Sequence, residues 1–261
     1  MNRPLVFAHR GGADALPEHT LGAYLRAIDE GADGVECDVR LTRDGHLVCV
    51  HDRRLDRTSN GRGLVSTKTL AELDRLDFGS WHPRYPGDEE PLPHLTQLLT
   101  LDRLLGALRD SGRPVRLLIE TKHPSRYGAE VERRLLGLLR RHGLTDPRPD
   151  SLVQVTVMSF AALALRRVRA QAPGIPTVYL LELLPPGVGR GWLPCGTRIA
   201  GPGVGLVRSR PGLLPALQAA GHQAYVWTVN DEVDLKMVLD QQVDGVITDR
   251  PKYVLDHLAA L

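Results

Sequence analysis

The stretch DGVECDVRLTRDGHLVCVHD, residues 33–52, holds two apolar runs, DGVECDV and LVCVH, with only RLTRDGH between them. A crossover between parallel strands needs a dozen or more residues, so no helix fits in that gap. Elsewhere the runs stand further apart. PLVFA, VRLLIETK, LVQVTVM, TVYLL, QAYVWTV and DGVIT bring their number to eight, and helical patterns recur between them. Leu21, Leu25 and Ile28 share one helical face, and leucine repeats at helical spacing from Leu95 to Arg109. Leu135, Leu138 and Leu139, then Leu163 and Val168, then Val233, Met237 and Val238 do the same. Short strands alternating with helices are βα units, and eight such strands close a barrel. The expected fold is therefore α/β, a (β/α)8 TIM barrel with the helix missing between its second and third strands.

Two stretches fit no βα unit. Residues 52–92 are charged and end in DFGSWHPRYPGDEEPLP, which reads as a small insertion on the rim after strand three. The stretch LPPGVGRGWLPCGTRIAGPGVG from Leu184 exceeds ordinary connection lengths, and a loop of that kind is functional or mobile. The 261 residues, 42% of them hydrophobic, suit one barrel domain spanning 1–261. The 33 basic and 31 acidic residues nearly cancel, which argues against a broad electrostatic footprint for nucleic acid or an anionic membrane. Cys37, Cys49 and Cys195 show no CxxC spacing, so neither a disulfide framework nor a zinc ribbon is expected. The apolar run LVFA is too short for a signal-peptide core, and no stretch approaches a membrane span. The expectation is a soluble, cytoplasmic protein with a small-molecule partner and no stable membrane insertion.

Residues two apart on a strand share a face, so Glu36 and Asp38 in VECDV project together while Cys37 faces away. A lone pair of this kind is ordinarily a solvated face. In a parallel barrel strand both faces are buried, and two unpaired carboxylates need a counter-ion. LLIETKH repeats the pattern with Glu120 and Lys122, which can simply neutralise each other. If Glu120 joins the other two acids at one barrel mouth, three carboxylates about 5 Å apart repel by about 3 kcal/mol per pair at an effective dielectric of about 20. A bound cation relieves that repulsion, and all-oxygen ligation favours Mg²⁺ or Ca²⁺ over Zn²⁺.

VFAH and VCVHD each end an apolar run in a histidine, His9 and His51. The carboxyl ends of barrel strands carry active sites, and two imidazoles there suit a general acid and base pair. Arg10 follows His9 with a planar fork that matches two phosphate oxygens. Gly11 and Gly12 permit positive φ and the approach of an anion to backbone amides. Trp227 in VWTVN stands near a strand end, where it packs in the core or walls a substrate.

Taken in order, AHRGG, PEHT, GADGVECDVRLTRDGHLVCVHD, DRTSNGRG, LLIETK, VMSF, YVWTVN and DGVITDRP closely resemble the glycerophosphodiester phosphodiesterase family from about residue 4 to residue 252. The resemblance implies a (β/α)8 barrel that hydrolyses a glycerophosphodiester to glycerol 3-phosphate and an alcohol with Mg²⁺ or Ca²⁺. It implies His9 and His51 as catalytic, Arg10, Lys122 and Trp227 as substrate-binding, and Glu36, Asp38 and Glu120 as metal ligands. It also matches 52–92 to the family's small insertion. One position departs: the family commonly reads Pro-Glu-Asn-Thr where this chain reads PEHT, with His19 in place of Asn. Histidine is a poorer helix N-cap than asparagine, so Thr20 is expected to take that duty. Two other readings remain, a lysophospholipase D acting on lysolipids and a non-catalytic barrel that binds phosphodiesters. An apolar groove at the insertion or at the loop after Leu184 favours the first.

Overall fold

The computed structural model describes residues 3–85, 92–146, 148 and 150–260. Its strands, in chain order, are β1 (Leu5–Ala8), β2 (Gly34–Leu41), β3 (Leu47–Cys49), β4 (Val115–Thr121), β5 (Val153–Ser159), β6 (Thr177–Leu181), β7 (Ile199–Pro202), β8 (Gln223–Val226) and β9 (Gly245–Thr248). They form one sheet in the order β1-β9-β8-β7-β6-β5-β4-β2-β3, and a further pairing of β1 with β2 closes it. Eight strands make the parallel ring of a TIM barrel, as expected. The ninth, β3, runs antiparallel on β2 outside the ring.

Membership of the ring differs from the sequence reading at two places. LVCVH is not a ring strand. Asp44 and Gly45 sit in a tight reversal, with Thr42 N–H donating to His46 O at 3.0 Å, so the chain folds straight back on β2. Asp-Gly between apolar alternations is a hairpin signal, and it accounts for the absence of a helix in this gap. The eighth ring strand is instead β7, whose four residues lie within the Gly- and Pro-rich stretch after Leu184. Between β6 and β7 the described chain forms only two 3-10 turns, Val188–Arg190 and Pro194–Gly196. Val188 and Leu193 are buried with Leu181, Ala200, Leu213 and Leu217, filling the layer that a helix fills elsewhere. The stretch is a packed crossover from the barrel mouth to its floor, not an active-site loop.

The insertion has a core of its own, in which Leu55, Val65, Leu73 and Phe78 pack on Val48 and Val50. Its residues 86–91 lie outside the described residues. Outside the ring, Val35, Cys37 and Val39 of β2 and Leu117 and Ile119 of β4 pack with the buried faces of helices Leu101–Asp110 and Glu130–Arg141. Each fully buried leucine of such a face contributes about 1.5–3 kcal/mol. Inside the ring the floor is apolar, built from Phe7, Leu118, Met158, Val178, Ile199, Tyr225 and Ile247. Above that floor, the inward positions of β2 and β4 turn from apolar to charged.

Candidate active site

The register of β2 on β4 sets Glu36 beside Leu118 and Asp38 beside Glu120. This places oxygens of Glu36, Asp38 and Glu120 within 4.8 Å of one another, all three carboxylates being buried. The ion pair anticipated between Glu120 and Lys122 forms at 2.8 Å, but the same Nζ also lies 3.1 Å from Asp38. Arg10 adds a contact of 3.3 Å to Asp38. Burial resists ionisation of Asp38, and Lys122, His19 and Arg10 outweigh it to hold this carboxyl well below the usual range. Glu36 accepts only the Arg10 backbone N–H, at 3.1 Å, and no side-chain cation stands within ion-pair distance of it among the described residues. Burial, then Asp38 and Glu120, push Glu36 well above the ordinary carboxylate value. Burial and Asp38 likewise push Glu120 up to about 8 against the opposing pull of Lys122. A buried, all-oxygen donor set with one carboxylate lacking a cation fits a hard divalent ion.

The two histidines reach this cluster by different routes. His9 follows β1 directly, and its Nδ1 lies 2.7 Å from Asp249 Oδ1. Asn230 donates from Nδ2 to the other Asp249 oxygen at 2.6 Å and accepts the Asp249 backbone N–H at 2.9 Å. His51 stands at the mouth because antiparallel β3 returns there, Val50 N–H donating to Asp38 O at 3.0 Å, and not because a ring strand ends at it. Its Nδ1 lies 2.7 Å from Asp52 Oδ1. Ionised carboxylates only accept, so both Nδ1 atoms carry protons and both Nε2 atoms are left to exchange them. Burial, reinforced by Lys122 and Arg10 against the pull of Asp38, pushes His51 down to about 4.

Behind His51 and Arg10 stands Arg57, a residue of the insertion. It donates from Nε and Nη2 to Asp52 at 2.8 and 3.2 Å, and from Nη1 and Nη2 to Glu18 at 2.8 and 2.9 Å. Glu18 in turn accepts from Arg10 at 3.2 Å. Hydrogen bonds to Glu18 and Asp52 raise the Arg57 guanidinium further above its usual value. One guanidinium thus ties the anchor of the histidine to the anchor of the arginine.

Arg10 itself holds a left-handed backbone, φ 52°. Gly11 and Gly12 do have positive φ, but they do not line the catalytic cavity as an anion cradle. A Cβ on Gly11 would stand 3.0 Å from that of Ala23, and one on Gly12 would stand 3.2 Å from the Pro251 ring, so these glycines permit close packing of the turn. Thr20 is the N-cap of helix Leu21–Asp29, accepting from Ala23 N–H, as expected. His19 is buried, with Nε2 3.0 Å from Asp38 and Nδ1 2.7 Å from the Tyr24 hydroxyl.

A cavity of about 330 Å³ gathers His9, Arg10, Glu36, His51, Glu120 and Lys122 on one side. Met158, Phe160, Leu180, Trp227 and Ile247 form an apolar wall opposite, and Glu182 completes the lining. Trp227 donates from Nε1 to Gly201 O at 2.7 Å and meets Phe160 edge to face at 5.6 Å. The cavity therefore brings together seven of the eight expected side chains, and Asp38 lies buried beneath them. Sequence reasoning missed Glu18, Asp52, Arg57, Asn230 and Asp249. Only Asp52, adjacent to His51, had a local signal.

The model of the glycerophosphoryl diester phosphodiesterase family matches residues 9–253. A probable glycerophosphodiester phosphodiesterase 1 of Mycobacterium tuberculosis is 47% identical over 248 residues, covering 95% of this chain and 90% of that one. A glycerophosphodiester phosphodiesterase of Bacillus subtilis is 34% identical over 253 residues, covering 96% and 85%. Among solved structures, an Oleispira antarctica phosphodiesterase in complex with the product sn-glycerol-3-phosphate has a TM-score of 0.82 at 26% identity, covering 98% of this chain and 97% of that one. No helix among the described residues is long and apolar enough to cross a membrane. On this family match and these identities, the chain belongs to the glycerophosphoryl diester phosphodiesterase family of phosphoric diester hydrolases.

Proposed function

We propose that the protein hydrolyses glycerophosphodiesters to glycerol 3-phosphate and an alcohol, with one divalent cation, Mg²⁺ or Ca²⁺, held by Glu36, Asp38 and Glu120. The observation that carries this reading is the convergence of two aspartate-anchored histidines, Arg10 and the three carboxylates on one cavity. The product held by the Oleispira relative supports the choice of substrate.

Phosphodiester hydrolysis demands a barrier reduction on the order of 20 kcal/mol. Proton transfer by positioned side chains contributes about 10²- to 10⁴-fold, roughly 3–5 kcal/mol, so charge stabilisation must supply most of the rest. When bound, the cation supplies positive charge to phosphate oxygens as negative charge builds on them. Arg10 offers N–H donors to the non-bridging oxygens, and Lys122 reinforces the positive field beside it. His51, neutral above about pH 4, accepts at Nε2 the proton of the nucleophile as its oxygen bonds to phosphorus; the nucleophile is water, or the neighbouring glycerol hydroxyl with water then opening the cyclic phosphate to glycerol 3-phosphate. His9 gives its Nε2 proton to the departing alcohol oxygen, while Asp249 holds the ring in place. Met158, Leu180 and Trp227 receive the carbon skeleton of the glycerol.

The test is release of glycerol 3-phosphate from a panel of deacylated glycerophosphodiesters after chelation and re-addition of Mg²⁺, Ca²⁺ or Mn²⁺. No release with any of them refutes the reading, and full activity in chelator refutes the metal role. Phe160, on the apolar wall of the cavity and still 38% exposed, favours a second reading as a lysophospholipase D acting on lysolipids. Faster turnover of a lysophospholipid than of its deacylated diester would establish that one.

A further inference from the structure

A second recess opens beside the catalytic cavity, and its charged walls are all cationic. Arg40, Arg53, Lys122 and Arg126 line it together with Ser66 and Ser125, and no Asp or Glu does. Its place follows from strand register. Lys122 N–H reaches Val39 O at 3.5 Å, continuing the pairing that sets Asp38 beside Glu120, so the next inward pair toward the rim is Arg40 with Lys122. The barrel thus rises from an apolar floor through a carboxylate layer to a cation layer. Lys122 belongs to both cavities, so one side chain separates the recess from the catalytic phosphate position.

Lys122 has ion-pair partners in Asp38 and Glu120, whereas none of the three arginines makes an ion pair among the described residues. Arg40 is half-buried and donates from Nε and Nη2 to the His51 carbonyl at 2.9 and 2.6 Å, while its Nη1 has no protein acceptor among the described residues. Arg53 and Arg126 stand exposed on opposite banks, one in the insertion and one after β4, with no carboxylate within ion-pair distance among the described residues. Guanidinium groups that converge on one recess raise its positive potential, and their planar forks match phosphate oxygens two at a time. The recess holds about 30 Å³, about two water positions, which admits a phosphate-sized group and excludes a sugar ring.

We propose that this recess is a subsite for a phosphate group carried on the departing alcohol of the diester. The inference rests on the phosphodiesterase reading and adds to it a preference for headgroups that end in negative charge. Arg40, Arg53 and Arg126 hold the distal phosphate, and the hydroxyls of Ser66 and Ser125 add donors.

The experiment compares kcat/KM for glycerophosphocholine, glycerophosphoglycerol and glycerophosphoglycerol bearing a terminal phosphate monoester, with inorganic phosphate tested as an inhibitor of each. The phosphorylated diester should exceed the neutral one by about tenfold or more, the scale of a charge-assisted contact. In the double variant Arg53→Gln, Arg126→Gln that ratio should collapse toward one, with a thermal melt reporting that the barrel remains folded. Equal kcat/KM for the two diesters in the unaltered protein overturns the proposal, as does a ratio the double variant leaves intact. Competitive inhibition by inorganic phosphate that the double variant loses, without any headgroup preference, overturns it in favour of a free-anion site. Turnover without preference defeats only the subsite, whereas no turnover of any of the three defeats the phosphodiesterase reading itself.

Discussion

Arg57 does not line the catalytic cavity, yet replacing it with methionine should cost activity as well as stability. The substitution removes four charge-assisted contacts, two to Asp52 and two to Glu18, while keeping an apolar stem of similar length. Such contacts are each worth about 1.5–3 kcal/mol when buried. The Arg57 side chain is 44% exposed, so solvent screens them and a net loss of about 2–3 kcal/mol is the reasonable sum. For a chain of this size that lowers Tm by about 5–10 °C. The catalytic effect runs through alignment. Glu18 keeps only Arg10, and Asp52 keeps only His51, so both functional groups lose the common tie that sets their separation. A displacement of about 1 Å at a reacting group costs about 100-fold, and the loss should appear in kcat more than in KM. Arg57→Lys keeps the charge but cannot bridge two carboxylates in pairs, and it should recover Tm more than kcat. The pH profile separates alignment from general loosening. With Arg57 gone, nothing on that side offsets the Asp52 charge, so the His51 value should rise from about 4 and carry the acid limb of kcat/KM upward with it. Steady-state kinetics and a thermal melt on the three proteins provide the measurements. A methionine variant within twofold of the unaltered kcat, with the acid limb in place, refutes the reasoning.

Other perturbations test separate parts of the site and fold. His9→Ala should lower kcat by about 10²- to 10⁴-fold with little change in Tm, and activity retained in that variant removes the proton-donor role. Binding of Mg²⁺ near pH 7 should release protons, because Glu120 titrates at about 8 and Glu36 is also raised. Affinity should therefore climb as pH rises through about 8; calorimetry in buffers of different ionisation enthalpy reads this, and binding without proton release contradicts the carboxylate assignment. Gly79→Ala should destabilise by about 3 kcal/mol, since its Cβ would stand 1.9 Å from the Leu95 carbonyl oxygen and force the insertion off its seat. An unchanged urea midpoint would show that the insertion adapts without cost.

The strands legible in the sequence were those whose neighbours supply a contrast. β4 and β5 are seven-residue runs followed by amphipathic helices, and periodicity finds both. β7 is four residues, IAGP, and its approach has no helical pattern because Val188 and Leu193 supply the outer layer from 3-10 turns. Nothing local distinguishes such a strand from a loop, and only the need to close the ring fixes it. β3 presents the converse problem. LVC has the composition of a buried strand and is one, but burial does not reveal direction. The Asp44-Gly45 reversal carries that information, whereas the gap length alone does not distinguish a hairpin from a lost helix.

The site divides along the same line, between chemistry that repeats along a strand and chemistry assembled across the fold. Glu36, Asp38, Glu120 and Lys122 were readable because the pleat alone puts them on inward faces, whereas Asp249, Asn230, Glu18 and Arg57 act from separate segments. His19 shows what that difference hides. Its left-handed backbone, φ 60°, is one that asparagine and histidine both tolerate, so the substitution costs the turn little. The imidazole reaches further than an amide. It spans from Asp38 to the Tyr24 hydroxyl, whose oxygen also lies 3.1 Å from the Glu36 carbonyl. An asparagine offers one of those contacts but not the length for both. In this chain, therefore, His19 and Tyr24 form a wedge behind β2 that fixes the Asp38 carboxylate to the Glu36 backbone. PEHT is better understood as half of a pair with Tyr24 than as a weakened cap.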